Sequence, residues 1–245
     1  MIIDTHCHLD LHKNPLDFAK KYEKLGHIIV GVTNLPSHFE QGIKHLSNFK
    51  KIRLALGLHP LLTEKHTKQE LIKFQTLSSL TSYIGEIGLD FSPEGYRSKE
   101  KQLASFQFIM EVLSGSTKLL SLHSRRAEKE VFDFLIRYKI KNAIFHWYSG
   151  PLRLIDDIAA AGYFFSINPA MLTSTNGKKI INRVPLENML TESDAPFSEI
   201  KGKQVEPEDI TEVFSFLSDA KNISKEQAEE GIKQNFFRAV KNISV

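Results

Sequence analysis

Short apolar runs rich in β-branched residues alternate along the chain with longer stretches whose apolar positions recur at helical spacing. The first run, Ile2–Asp10, reads as a strand, with Ile2 and Ile3 supplying the bulk that keeps it in a core. Pro15–Gly26 then reads as a helix, because Leu16, Phe18, Ala19, Tyr22 and Leu25 gather on one face. The same alternation predicts further strands at Ile28–Val32, Ile52–Leu58, Tyr83–Leu89, Leu119–Leu122, Ala143–Trp147, Tyr163–Ile167 and Asn188–Thr191. Between them it predicts helices at Ser37–Phe49, Lys68–Ser79, Ser98–Leu113, Glu128–Tyr138 and Pro151–Ala161, with a short, weak one at Lys178–Val184. Two helices close the chain, Pro207–Ala220 and Ser224–Val240, the second opened by the Ser224/Gln227 capping box. Ser198–Glu206 reads as a polar loop.

Eight strands in alternation with helices is the count of a (β/α)8 TIM barrel, an α/β fold, and residues 1–245 read as one domain. The competing doubly wound sheet expects a glycine-rich phosphate turn after the first strand, and none is present. A chain of 245 residues at 41% hydrophobic content suffices to fill one such core. The barrel matters for function because it carries the C-terminal ends of all its strands to one rim, where its catalytic residues collect.

Composition narrows the setting further. No apolar run is long enough to span a bilayer, and the Met1–Asp4 start shows no basic leader. The single cysteine, Cys7, excludes an internal disulfide framework and fits a reducing cytoplasm, so a cytoplasmic protein is expected. A formal charge of +3 permits an anionic substrate without requiring one.

The chemistry lies at the strand ends. His6 and His8 alternate with Cys7, so both imidazoles face one way, about 7 Å apart along the strand, while Cys7 faces the core. Alone, such a pair is as well explained by two exposed histidines. Its company changes the picture: Asp4 and Asp10 on the same strand, His59 after the third, Glu86 and Asp90 on the fourth, His123, Ser124 and Arg125 after the fifth, His146 on the sixth, Glu192 and Asp194 after the eighth. Imidazoles and carboxylates together are a ligand set for Zn²⁺, Mn²⁺ or Mg²⁺ in hydrolysis. Glu86, between two glycines in an apolar strand, is costly to bury unpaired and is placed to bridge two ions. Asp194 is placed to ligate one ion and take a proton from water. A lone His146 beside Trp147 and Tyr148 is also explained as a hydrogen-bonded core residue, and Arg125-Arg126 as solvated surface. The other five histidines, His12, His27, His38, His45 and His66, fall in helices or loops, where solvated surface is the default.

Taken in order, Asp4-Thr5-His6-Cys7-His8-Leu9-Asp10, Gly57-Leu58-His59-Pro60, Gly85-Glu86-Ile87-Gly88-Leu89-Asp90, Leu122-His123-Ser124-Arg125, His146-Trp147-Tyr148-Ser149-Gly150 and Thr191-Glu192-Ser193-Asp194-Ala195-Pro196 resemble the motifs of the TatD family of metal-dependent deoxyribonucleases, within the amidohydrolase-like barrels. Lys203–Pro207 and Asn235-Phe236-Phe237 fit the family's closing pattern, so the resemblance covers essentially the whole chain. It implies two divalent ions (Mg²⁺, Mn²⁺ or Zn²⁺), one held by His6, His8, Glu86 and Asp194, the other by Glu86, His123 and His146. It implies hydrolysis of phosphodiester bonds in DNA or nucleotides, with Asp194 and Glu86 catalytic and His59 and Arg125 supporting a ligand or contacting phosphate.

Several positions depart from the family pattern. Trp147-Tyr148 replace the usual Cys-Phe, Phe165–Ala170 replace a small-residue seventh strand, Ser193 stands for the commoner Thr, and Val205 for Asn. These changes leave the implied ligands intact and alter the pocket, which makes Trp147, Tyr148 and Arg125 the expected substrate contacts. One of the two aromatic rings is expected to face the core instead. The His146–Gly150 and Ser166–Ala170 segments are similar to a TatD-like branch found in bacterial Qat anti-phage operons, which implies protein partners from a defence operon. Two other readings stay open: an amidohydrolase of a cyclic amide or lactone, and a low-turnover binding subunit of a defence complex. Against the first, no strand-four lysine offers itself as a carbamylated bridge, and Glu86 fills that place.

Overall fold

In the computed structural model, residues 1–243 are described, and among them eight parallel strands lie side by side in chain order. They are β1 (Ile3–Cys7), β2 (Ile28–Val32), β3 (Ile52–Leu58), β4 (Tyr83–Gly88), β5 (Leu119–His123), β6 (Ala143–His146), β7 (Phe164–Ile167) and β8 (Met189–Thr191). Helices α1 (Pro15–Leu25), α2 (Pro36–Leu46), α3 (Lys68–Leu77), α4 (Lys99–Leu113), α5 (Glu128–Arg137), α6 (Leu152–Ala160) and α7 (Thr175–Arg183) connect successive strands. After β8 come a two-stranded hairpin, β9 (Glu199–Ile200) with β10 (Lys203–Gln204), and helices α8 (Thr211–Lys221) and α9 (Lys225–Val240).

The sheet curls into a nearly closed TIM barrel, and its seam is made without a strand ladder. Where β8 meets β1, side-chain hydroxyls bridge the gap: Thr5 Oγ1 donates to Thr191 O at 3.0 Å and Thr191 Oγ1 to Ile3 O at 2.6 Å. Just beyond, Asp194 N donates to His6 O at 2.9 Å and His8 N to Ala195 O at 2.8 Å. The seam therefore sets the loop that carries Asp194 directly against the histidines of β1.

The strands are buried on both faces, which is why they read as near-continuous apolar runs. One set of their residues (Ile29, Leu54, Leu120, Phe145, Phe165) packs outward on Phe39, Phe74, Phe106 and Val131 of the helices. The other set (Ile3, Val30, Val32, Ala55, Ile144, Phe164, Leu190) fills the barrel interior with Phe236 of α9 beneath it. Above that plug the inward positions turn polar: Ser121 and His123 on β5, His146 on β6, Ser166 on β7 and Glu192 after β8.

Three local readings are corrected. Ser198–Glu206 contains the β9–β10 hairpin, turned through Lys201 and Gly202, both at positive φ. α7 begins at Thr175, ahead of the expected Lys178, because the Ser174 side chain accepts from Gly177 N at 2.9 Å and caps a run of weak helix formers. β1 ends at Cys7, and His8 opens a 3-10 turn over Leu9–Leu11. The Ser224/Gln227 capping box is present. Among the described residues no helix is long and apolar enough to cross a membrane.

Candidate metal centre

Glu86 stands at the centre of the rim, almost fully buried, with five imidazoles around its carboxylate, two from β1 and its end and one each from the ends of β3, β5 and β6. Its two oxygens face different groups. Oε2 lies 3.6 Å from His6 Nε2 and 3.3 Å from His8 Nε2. Oε1 lies 3.3 Å from His59 Nε2, 2.7 Å from His123 Nδ1 and 3.1 Å from His146 Nε2. Asp194 Oδ1 joins the first group, 3.6 Å from both His6 Nε2 and His8 Nε2.

Local backbone explains how Glu86 arrives there. The pairing of β4 with β5 shifts register between Ile84 and Ile87, so Ile84 packs in the outer layer while Glu86 points inward. Gly88 sits at φ 144°, and a Cβ there would lie 1.9 Å from His123 O. No other residue permits so close a pass of β4 by β5, and the approach lets His123 reach two carboxylates. Its Nδ1 meets Glu86, and its Nε2 is 2.8 Å from Asp90 Oδ2.

A further ring of polar groups holds the imidazoles. Ser121 Oγ is 2.7 Å from His6 Nδ1. Glu192 Oε2 is 3.6 Å from His146 Nδ1. Asp4, fully buried, accepts from His6 N and Ser193 N and so steadies the backbone on both sides of the seam. Of these groups, Asp4, Asp90 and Glu192 were visible as strand-end carboxylates; Ser121 carries no signal, since an inward serine looks like any small core residue.

Burial and charge pull the titrations apart. Burial alone would push Glu86 up, but the imidazoles of His59 and His146 and the hydrogen bond from His123 hold it well below the usual carboxylate range. Burial pushes Asp194 up to about 7 and Asp4 up to about 8. Burial also brings His6 down to about 4, helped by the charge of His146. His146 goes the other way: burial opposes its charged form, and the carboxylates of Glu86 and Glu192 outweigh burial. Such a spread over groups in van der Waals reach of one another marks functional ground.

The centre floors a cavity of about 670 Å³ whose walls include Asn34, Leu61, Leu62, Trp147 and Phe197. Phe197, unremarked in the sequence, stands edge-on to His8 with ring centroids 4.8 Å apart. Arg125 reaches the cavity wall, half exposed, and pairs with Glu94 at 3.7 Å. Trp147 lines the cavity, and Tyr148 does not. The Tyr148 ring is buried against Phe145 and Phe165, and its hydroxyl donates to Pro151 O at 2.8 Å. Tyr148 is therefore corrected from substrate contact to core: the left-handed backbone at Trp147, φ 37°, breaks the strand alternation past β6, so Trp147 meets the cavity and Tyr148 packs on Phe145 and Phe165. His66 is corrected as well: it is buried, bonded to Ser105 Oγ and His59 O.

The family model for TatD related DNase matches residues 3–241. The chain belongs to the TatD family. It is a metal-dependent hydrolase of that family, and relatives match it over most of their length. A metal-dependent hydrolase of Methanocaldococcus jannaschii is 30% identical, with 96% of each chain covered. The human deoxyribonuclease TATDN3 is 26% identical over 97% of this chain and 93% of its own. In three dimensions the TatD homologue YjjV of Escherichia coli superposes with a TM-score of 0.85 at 24% identity, covering 96% of each chain. That likeness establishes the TatD barrel, on whose rim the Glu86 cluster sits.

Proposed function

We propose that this TatD-family chain hydrolyses phosphodiester bonds of DNA at a centre built for two divalent ions. The observation that carries the reading is the division of Glu86, whose Oε2 faces His6 and His8 while Oε1 faces His59, His123 and His146. The donors fit such ions. His6 Nε2 is buried without a hydrogen-bond partner among the described residues, although carboxylate oxygens lie 3.6 Å away on two sides. That spacing is too long for a hydrogen bond. Two donors each about 2.1 Å from one ion stand about 3 to 3.4 Å apart, close to the separations seen here.

On this reading His6, His8, Glu86 and Asp194 hold one ion, and Glu86, His123 and His146 the other, with His59 beside the second group. Bound divalent ions supply Lewis-acid polarisation of a phosphoryl oxygen and a water acidified into a nucleophile at neutral pH. The chain's own residues do the rest. Asp194, on the cavity floor, accepts the proton of the attacking water. Arg125 and His59 line the cavity where they meet the phosphate, and Trp147 offers a face for a base. A place in anti-phage defence is supported by the His146–Gly150 and Ser166–Ala170 segments alone.

The test is cleavage of an end-labelled oligonucleotide with and without Mn²⁺, Mg²⁺ or Zn²⁺, by the parent chain and by Asp194→Asn. Metal-dependent cleavage is expected, lost on chelation, with kcat of the variant lower by about two orders of magnitude or more and oligonucleotide binding retained. Equal turnover by parent and variant would remove Asp194 from the chemistry. No cleavage by the parent with any of the three ions would end the phosphodiesterase reading.

A further inference from the structure

Glu192 is fully buried just past β8, and its carboxylate collects groups from two neighbouring strands. Oε1 accepts from Trp147 N and from Asn168 Nδ2, both at 3.0 Å. Oε2 accepts from the Ser166 hydroxyl and faces His146 Nδ1 at 3.6 Å. One carboxylate thus bonds the backbone of Trp147 and faces, at ion-pair distance, the ring of His146, whose Nδ1 is buried with no hydrogen-bond partner among the described residues. Both contacts concern function. His146 turns its other nitrogen, Nε2, to Glu86 Oε1 at 3.1 Å. Trp147 sits at φ 37°, a left-handed conformation that a bulky residue keeps only when its surroundings hold it there.

We infer that Glu192 is a positioning residue that couples the metal centre to the cavity's aromatic wall, fixing His146 with Nε2 free toward Glu86 and Trp147 with its ring toward the substrate. The inference rests on the divalent-ion reading above. With an ion held between Nε2 and Glu86, the ring keeps its one proton on Nδ1, and the Glu192 carboxylate, 3.6 Å away and beyond hydrogen-bond length, attracts that proton by its charge. Glu192 acts from behind the imidazole and not as a ligand of the same ion. Three hydrogen bonds already occupy its two oxygens, and it meets the nitrogen of His146 that does not face Glu86.

Glu192→Gln separates the two duties. The amide oxygen can go on accepting from Trp147 N and Asn168, which preserves the turn. The amide nitrogen then faces Ser166 and His146 Nδ1, and a donor there draws the imidazole proton to Nε2, where it blocks the ion. Glu192→Ala removes the acceptor from Trp147 as well. Trp147 is the only tryptophan in the chain, so its emission reports the turn directly.

Calorimetric titration with Mn²⁺ should show Glu192→Gln weaker than the parent by about 10- to 100-fold at one site, with the emission of the metal-free protein unchanged. Glu192→Ala should shift that emission too. A Gln variant binding Mn²⁺ within threefold of the parent would overturn the inference, and so would one whose emission shifts as far as the Ala variant's. The parent supplies an independent check by nitrogen NMR of its Zn²⁺-loaded form: a proton on His146 Nδ1 is expected, and one on Nε2 overturns the assignment. A parent that binds neither ion removes the divalent reading and this one with it, an outcome its own titration distinguishes from failure of Glu192 alone.

Discussion

Ser121 on β5 reaches across the barrel interior to His6 on β1, with Oγ 2.7 Å from Nδ1. Both groups are buried, so the contact fixes which nitrogen of His6 faces Glu86 and Asp194. Ser121→Ala leaves Nδ1 buried without its partner, which costs about 1–3 kcal/mol of stability. On the two-ion reading, metal affinity should fall by about 10- to 100-fold, because the ring is no longer held toward Glu86 and Asp194. Urea unfolding and a Mn²⁺ titration measure the two effects. Affinity equal to the parent's would show that packing alone orients His6.

Trp147 and Tyr148 should separate by function. Trp147→Ala removes a ring from the cavity wall and should weaken oligonucleotide binding by about 1–3 kcal/mol while leaving metal content and melting behaviour near the parent's. Tyr148→Ala empties a core position and should cost about 3–5 kcal/mol in urea unfolding. A Trp147→Ala variant with unchanged oligonucleotide affinity would remove the aromatic contact.

This pair also shows what the sequence could tell. That one ring would face the core followed from alternation, but which one depended on where β6 ends and how Trp147 turns, and its left-handed backbone is set by Glu192, 45 residues away in sequence. Periodicity located the strands and so brought His6, His8, Glu86, His123, His146 and Asp194 to one rim. The groups that hold them were harder to see, because Ser121 and Asn168 earn their roles from partners on other strands. Phe197 looked like an ordinary loop residue until its edge-on contact with His8 placed it at the cavity mouth.

His66 should govern part of the acid sensitivity. Burial lowers it to about 4, against 6.5 for the free side chain, and Nε2–H donates to His59 O. Between those values the unfolded chain binds the extra proton and the folded one does not, so stability is lost as pH falls from 6.5 towards 4. The loss from this group is about 2 kcal/mol between pH 7 and pH 5. His66→Gln keeps a donor for the carbonyl and removes the titration. Urea unfolding at the two pH values should show the parent losing about 2 kcal/mol more than the variant. Parallel losses in the two proteins would show that His66 titrates normally.

The most direct test of a centre built for two ions is the count of Mn²⁺ bound per chain at saturation, by equilibrium dialysis with metal analysis. The parent should hold two, and His6→Ala combined with His8→Ala should hold one, since the group on Glu86 Oε1 is left whole. A parent that saturates at one ion or none, or a double variant that still holds two, would contradict it.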